Sequence, residues 1–474
     1  VIETYNAKLT LGIDEPALSG VVLSRYQCDV CVVPLTPDVP VRRTMFSFDN
    51  LMITLATILA VWLLSVIPQN FDFLNPIGQA LGDMDMTDMV FSKFRDKDDV
   101  EADTNIVIVN IGALSRAEIA EQLRRINAQS PRVVGIDAFF RKPKDTEGDS
   151  LLAQAMSETK NLVLVSKVAF REESKEGNVD QWTTSKVDAG RGFDSLETSM
   201  PMFMQHAKTG FSNFIINQEA SFMTTRDASF KEVCAGEVEP SFPIRIATIY
   251  SPASAQSALA RSNDHEVINF RGDMEKFYYF DADQVLDPEV DLSVMNGKIV
   301  LLGYMGVTLA QESIEDNFFT PLNPQYVGRS HPDMYGVVVH ANVLSMILHG
   351  DYINTMPKWA SLVVGLMLLV INVMLFTFIY SRFENWYDTL ALILQVGESI
   401  LILYLIVTVF ASMNYKLALT PALIGVALVG TVHDLYQDSI KKIILQASAK
   451  LRRKFASKSE TQRTHTANKS TGPS

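Results

Sequence analysis

Seven polar residues in this sequence are candidates for chemistry, and they fall into two groups. Asp137 lies in the apolar run VVGIDAFF (133–140), where Gly135 lets another part of the chain approach the backbone closely. Arg141 follows it, and Asn269 and Arg271 sit in the short block INFRG. All four fall near the ends of expected strands, and open α/β sheets bind ligands beyond the carboxyl ends of their strands. They predict a small-ligand crevice; the competing reading is a structural network of buried polar groups. The second group is His340, with Asp333 seven residues before it and Asp316 in the loop DNFFTPL (316–322). Imidazole and carboxylate together suit many divalent metals. Without a paired spacing such as HExxH, the better-supported reading is that His340 packs or caps a helix while Asp316 and Pro321 shape a turn.

Other chemistry is thinly represented. Cys28 and Cys31 have CxxC spacing, but no second pair or His cluster completes a zinc site, so no metal is expected. Cys234 reads as a small buried residue. There is no GxSxG, no P-loop and no glycine-rich dinucleotide fingerprint after a strand. The expectation is no catalytic residue, no cofactor and no enzyme; an envelope hydrolase is the least supported reading. Gln395 and Glu398 lie three apart on one face of an apolar stretch, with Asn372 in the preceding one as a partner. Such groups face the interior of a helix bundle. Interhelical packing, worth about 0.6 kcal/mol per hydrogen bond, is favoured over proton conduction, because one acid makes a poor relay.

The elements that must hold these residues are unevenly apolar. A mean hydropathy of +0.12 coexists with 20 % charged residues, so apolar residues are segregated into membrane segments beside a soluble part. Spans are expected at 51–67, 359–380, 387–411 and 417–435, joined by tight hairpins at 381–386 and 412–416. Trp359, Tyr380, Trp386, Tyr387 and Tyr415 stand where interfacial aromatics belong. Arg42 and Arg43 precede the first span, and Lys441, Lys442, Lys450, Arg452 and Arg453 follow the last. Basic residues mark the cytoplasmic side. Residues 70–356 are therefore expected outside the inner membrane, in the periplasm or an extracellular space, and the C-terminus in the cytoplasm. Residues 1–44 read as an extension, poorly structured or artefactual, since Met45 resembles a start. Residues 436–456 form an amphipathic basic helix that suits anionic membrane lipid or a homodimer contact, and 457–474 a disordered tail. The net charge of −13 excludes a nucleic-acid partner.

Residues 70–356 alternate strand and helix signals, with strands at IVIVNI (106–111), VVGIDAFF, LVLVSKVAF (162–170), EVINF (266–270) and KIVLLGYM (298–305). Helices are expected after Ser115, whose Glu118 completes a capping box, at 149–158 and at 335–349. The fold class is an α/β domain, with a mixed or mostly parallel sheet covered by helices, plus one N-terminal and three C-terminal transmembrane helices. From Arg261 to Met356 there are 14 acidic residues against 5 Lys and Arg, an excess of 9. This reads as a solvated surface or as a face that attracts cations.

Several blocks in order resemble the CHASE type 2 domain, the extracellular sensory domain associated with cyclases and histidine kinases. They are Asn75–Arg95 ending in DMVFSKFR, IVIVNI followed by Arg116, VVGIDAFF with Gly148 and Asp149 after it, INFRG (268–272), GKIVLLG (297–303), DNFFTPL, and Gly336 with His340, Ala341 and Asn342. The resemblance covers about 70–356 and extends through the spans to about 435. It implies an α/β fold that senses an outside signal for a cytoplasmic output. Two features depart from the family pattern: only GALS stands before Arg116, and no output domain follows the last span within the sequence. The expected function is a membrane-anchored sensory or ligand-binding protein, with an unidentified small ligand or envelope component outside and an unlinked cytoplasmic effector inside. The alternative is an envelope scaffold that docks a component without switching.

Overall fold

The computed structural model describes residues 47–70, 90–91, 100–169, 182–183, 193–216, 224–311, 313–323 and 331–450. The domain is built on six parallel strands: β1 (Asp103–Asn110), β2 (Val133–Asp137), β3 (Leu162–Ala169), β4 (Lys208–Phe211), β5 (Phe277–Phe280) and β6 (Ile299–Gly303). Their order across the sheet is β5-β1-β6-β2-β3-β4, with Ser195–Glu197 antiparallel on the outer half of β3. β2, β3 and β6 are buried almost throughout, as a parallel sheet covered on both faces requires.

Helices α2 (Arg116–Ala128) and α3 (Thr146–Glu158) cover one face, where Ile119, Leu123, Leu152 and Met156 meet Val107, Val109, Val134 and Ile136. Ser115 and Glu118 form the capping box at the start of α2. Arg116 and Asp149, both buried, form an ion pair that locks α2 to α3. The opposite face carries α4 (Phe242–Tyr250) and α5 (Gly336–His349), with Ile244, Ile246, Val338 and Val339 against Ile106, Val133 and Leu301. Burying each such side chain is worth about 1.5–3 kcal/mol. β6 is the exception in this winding. It sits between β1 and β2, whose following helices lie on one face, yet the chain after β6 leads to α5 on the other.

Several boundaries differ from the sequence expectation. VVGIDAFF leaves the sheet after Asp137; Ala138–Phe140 turn away, and the Phe140 N–H donates to Ser199 Oγ at 3.0 Å. EVINF is strand only at Glu266–Val267, in a separate small sheet, because Asn269 and Phe270 turn to meet α5. α3 begins at Thr146 because Asp145 caps it. Cys234 is buried and free.

Four further helices follow the apolar stretches. Two of them, α6 (Lys358–Arg382) and α7 (Tyr387–Met413), are long and apolar enough to cross a membrane, with mean hydropathies of 2.8 and 2.3. α1 (Phe48–Asn70) and α8 (Thr420–Leu435) pack with them through Ile53, Leu369, Val373, Phe376, Val429 and Val432. α8 starts at Thr420 because Tyr415–Lys416 before it pair in parallel with Asn354–Thr355. After α8 the chain passes through a π-helical turn at Tyr436–Ile440 and remains helical to residue 450. Lys441 reaches back to Asp49 at 2.8 Å, so one of the expected basic tail residues is spent on an ion pair with α1. The cysteines Cys28 and Cys31, the first 44 residues, most of Asn75–Arg95, and Arg452, Arg453 and the tail from 457 lie outside the described residues.

Candidate functional site

The position of β6 between β1 and β2 sets two strand ends with diverging chains side by side. Gly303 at its end is in register with Asp137 at the end of β2. The chains leaving these neighbouring strands go to opposite faces, which is the topological switch point at which α/β sheets bind ligands. Asp137, Asp316 and His340 converge here. His340 Nε2 is 3.8 Å from Asp137 Oδ2, and Asp316 is close enough for its charge to act on Asp137. Asp316 is held with φ +56°, and its carbonyl accepts the Gly336 N–H at 3.0 Å. A Cβ on Gly336 would lie 3.3 Å from Asp316 Oδ2, so glycine lets that carboxylate lie against the first turn of α5. A carboxylate there is favoured by the helix dipole.

The pocket around these groups is filled by aromatic rings. Phe214 stacks on the imidazole of His340 with centroids 4.5 Å apart, and Phe242 meets it edge-on at 5.4 Å. Burial pushes His340 down to about 3, and it leaves Nδ1 with no hydrogen-bond partner. Burial first, and the Asp316 charge second, hold the Asp137 carboxyl well above the ordinary carboxylate range. His340 is therefore neutral near pH 7 and keeps a lone pair on its ring, while the Asp137 carboxyl is pushed toward its protonated form. The arrangement can store and hand over a proton, but two phenyl rings occupy the space a substrate would need. Gly135 does permit a close approach, and what approaches is α4: a Cβ there would lie 2.7 Å from Ile246 Cδ1 and 2.8 Å from Phe242 Cζ.

The other predicted ligand residues lie elsewhere. Arg141 is on the surface over the Phe139 ring, 3.4 Å from Glu197. Asp333 does not join His340; it receives the Thr320 N–H at 2.8 Å and so closes the turn around Pro321. Asn269 and Arg271 sit at the opposite, amino end of the sheet. Arg271 donates to Ser345 Oγ at 2.9 Å and to the Glu101 carbonyl at 2.8 Å, and Ser345 in turn donates to Asp103 Oδ2 at 2.7 Å. Asn269 donates to the Asp351 carbonyl at 2.8 Å, and Asn342 Oδ1 accepts the Arg271 N–H at 2.7 Å. A cleft of about 320 Å³ separates Asn269, Arg271, Ser345 and Asp351 from Asn414, at the turn between α7 and α8. The sequence reading missed Asp103, Ser345 and Asp351 in this junction, and Phe214 and Phe242 around His340. None carries a motif; only Asp103, just ahead of an apolar strand, stood in a recognisable position.

This junction continues into the helices. The Asn354 N–H donates to the Asn414 carbonyl at 2.9 Å, and the Met356 N–H to the Lys416 carbonyl at 2.9 Å. Phe91 stands edge-on to Phe270 of the domain at 6.1 Å and to Phe410 of α7 at 5.5 Å. In the apolar bundle, Asn372 Nδ2 donates to Glu398 Oε2 at 2.6 Å, joining α6 to α7, and Gln395 donates to the Ala427 carbonyl of α8. Asn372 and Glu398 thus bind one another across α6 and α7, while Gln395 bonds the backbone of α8, so the three do not form a continuous chain.

A sheet wound in this way, docked on apolar helices, fits a known sensory module, and the model of the CHASE2 domain matches residues 56–376, the bulk of the chain. The chain belongs to the CHASE2 family. CHASE2 domains are sensory extracellular domains, and the two apolar helices α6 and α7 accord with a membrane protein. No curated protein and no solved structure matches the chain. Within the match, Arg116 with Asp149, Asp137 with His340, and Asn342 with Arg271 each join two of the blocks that carry the resemblance.

Proposed function

We propose that this CHASE2 protein is a non-enzymatic sensor of the cell envelope. Its α/β domain faces the periplasm or extracellular space, α1, α6, α7 and α8 cross the inner membrane as four spans, and a separate cytoplasmic effector reads the state of the bundle. The observation that carries this reading is the course of α5. It is buried from Gly336 to Ile347. Near its start it holds His340 against Asp137; further along, Asn342 and Ser345 bind Arg271. Only residues 350–357 then separate it from α6, and two of these pair with the turn between α7 and α8. A shift of α5 is passed to three apolar helices without a flexible linker. A ligand moves such an equilibrium only by its differential affinity for the two states.

The scaffold alternative draws on one observation, the phenyl rings that fill the crevice around His340. The two readings part on an experiment with the full chain in lipid nanodiscs. Thermal shifts against amino acids, amines, sugars, nucleotides and divalent cations would identify a ligand, and hydrogen exchange would follow its effect. A sensor changes protection at 350–356, 414–416 and 436–450 when the domain is stabilised. A ligand whose effect stops inside the domain would establish the scaffold instead.

A further inference from the structure

A second concave feature lies at the start of the acidic stretch that begins at Arg261. A cavity of about 430 Å³ opens between the hairpin Lys231–Cys234 and Glu237–Pro240 on one side and residues 258–266 on the other. That is the size of a small-metabolite site. Its walls hold three carboxylates, Glu232, Asp264 and Glu266, against two cations, Lys231 and Arg261. Arg261 is already committed: its Nε and Nη2 hold the two oxygens of buried Glu266 at 2.6 and 3.0 Å. One cation, Lys231, is left for two carboxylates.

Glu232 is the half-buried end of that imbalance. Burial raises its carboxyl above the ordinary range, and the Ser229 hydroxyl and nearby His265 offset this only in part, while Asp264 adds to it. These two partners do not make up for the water that the charged form loses. Beside it, His265 Nδ1 is buried with no hydrogen-bond partner. Phe230, Ala258 and Leu259 supply an apolar floor. Glu232 and Asp264 present acceptors to the cavity, and an alkylammonium offers three donors, one positive charge and a carbon stem. A metal ion suits the site less well, since no group of three His, Cys, Asp or Glu among the described residues has the geometry to hold one.

We propose that this cavity binds a small primary amine, with its ammonium between Glu232 and Asp264 and against His265 Nδ1, and its stem on Phe230, Ala258 and Leu259. The cavity is wired to the junction with the helices. Arg261 Nη2 also donates to Asn354 Oδ1 at 3.1 Å, and its guanidinium lies 4.3 Å above the Tyr352 ring. Asn354 is the residue paired with Tyr415. An ammonium in the cavity repels Arg261 and so alters the segment leading into α6. This consequence rests on the sensory reading; occupancy of the cavity does not.

Titration calorimetry on the full chain in nanodiscs, with n-butylamine and 1,4-diaminobutane as probes and butanol and butyrate as controls, tests it. The amines bind saturably, and the controls do not. Glu232→Gln and Asp264→Asn each weaken the amines tenfold or more without lowering the melting temperature. Glu237→Gln, on the same hairpin outside the cavity, leaves affinity unchanged. Equal binding of butanol, no binding of either amine, or full affinity in Glu232→Gln overturns the proposal. Hydrogen exchange separates the two claims. Amine binding that leaves 352–356 unchanged upholds the cavity and removes the sensory link. A different ligand that alters 352–356 while no amine binds does the reverse.

Discussion

His340 carries an imidazole that the fold keeps neutral far into acid. The unfolded chain takes up that proton near the ordinary 6.5, whereas the folded chain resists until about 3. Its contribution to stability is complete above pH 6.5 and is lost as pH falls toward 3. At pH 4.5 the loss amounts to about 3 kcal/mol, from about 1.4 kcal/mol per unit. His340→Phe keeps a ring between Phe214 and Phe242 and removes the titration. Melts of the full chain in detergent at pH 7.5 and 4.5 should show the variant losing less on acidification by that amount; parallel profiles would refute it. Asp137 has the opposite sign. Its raised folded pKa means its contribution is full below about 4 and is lost as pH rises. Asp137→Asn should therefore gain on the parent chain as pH rises. Arg116 and Asp149 form the other buried pair, and Asp149→Asn leaves a guanidinium with one lost partner inside the protein. That should cost about 3–5 kcal/mol, read as a lowered denaturation midpoint. All these residues were legible in the sequence as individuals. Their grouping was not. Asp316 and His340 were grouped with Asp333, and Asp137 with Asn269 and Arg271, because the register that sets Gly303 beside Asp137 depends on a strand that enters the sheet from some 160 residues away. Asn269 and Arg271 do flank a strand, but they precede β5, so they stand at its amino end.

At the scale of elements, hydrophobic pattern and capping located β1, β2, β3, β6, α2 and α5 well, since each buries a continuous apolar face. The pattern failed at EVINF, where burial comes from a loop folded against α5 rather than from a strand ladder. It also gave no sign of how closely α5 lies on β6. Gly303 is the residue that sets this. A Cβ there would fall 2.5 Å from Val337 Cβ, an atom fixed to the helix backbone. Gly303→Ala must therefore displace the first turn of α5, taking Asp316 and His340 from their places. The expected cost is about 1–3 kcal/mol. A thermal melt would show it, together with a flatter acid limb, because His340 would regain water. Unchanged acid behaviour in a destabilised variant would mean that α5 had moved without opening the cluster.

The whole molecule turns on which face of the membrane carries the turn between α7 and α8. Its residues Tyr415–Lys416 pair with Asn354–Thr355, the strand that leaves the domain. On the four-span arrangement proposed above, both segments lie on the domain's side, α6 and α7 are a pair of opposed spans, and α8 returns the chain to the cytoplasm. Thr355 and Lys416 are direct partners in that register. Cysteines at both positions should therefore form a disulfide on mild oxidation, detected by loss of maleimide-polymer labelling in the double variant but not in either single one. In intact cells with a permeable outer layer, an impermeant maleimide should reach both single cysteines equally, and it should reach one placed at Ser448 only after the inner membrane is opened. If Lys416→Cys stays hidden while Thr355→Cys is labelled, the paired strands do not exist in the membrane-embedded chain, and the route from α5 to the spans is lost with them. If Ser448→Cys is labelled from outside, the bundle does not end in the cytoplasm, and an effector there would have nothing to read.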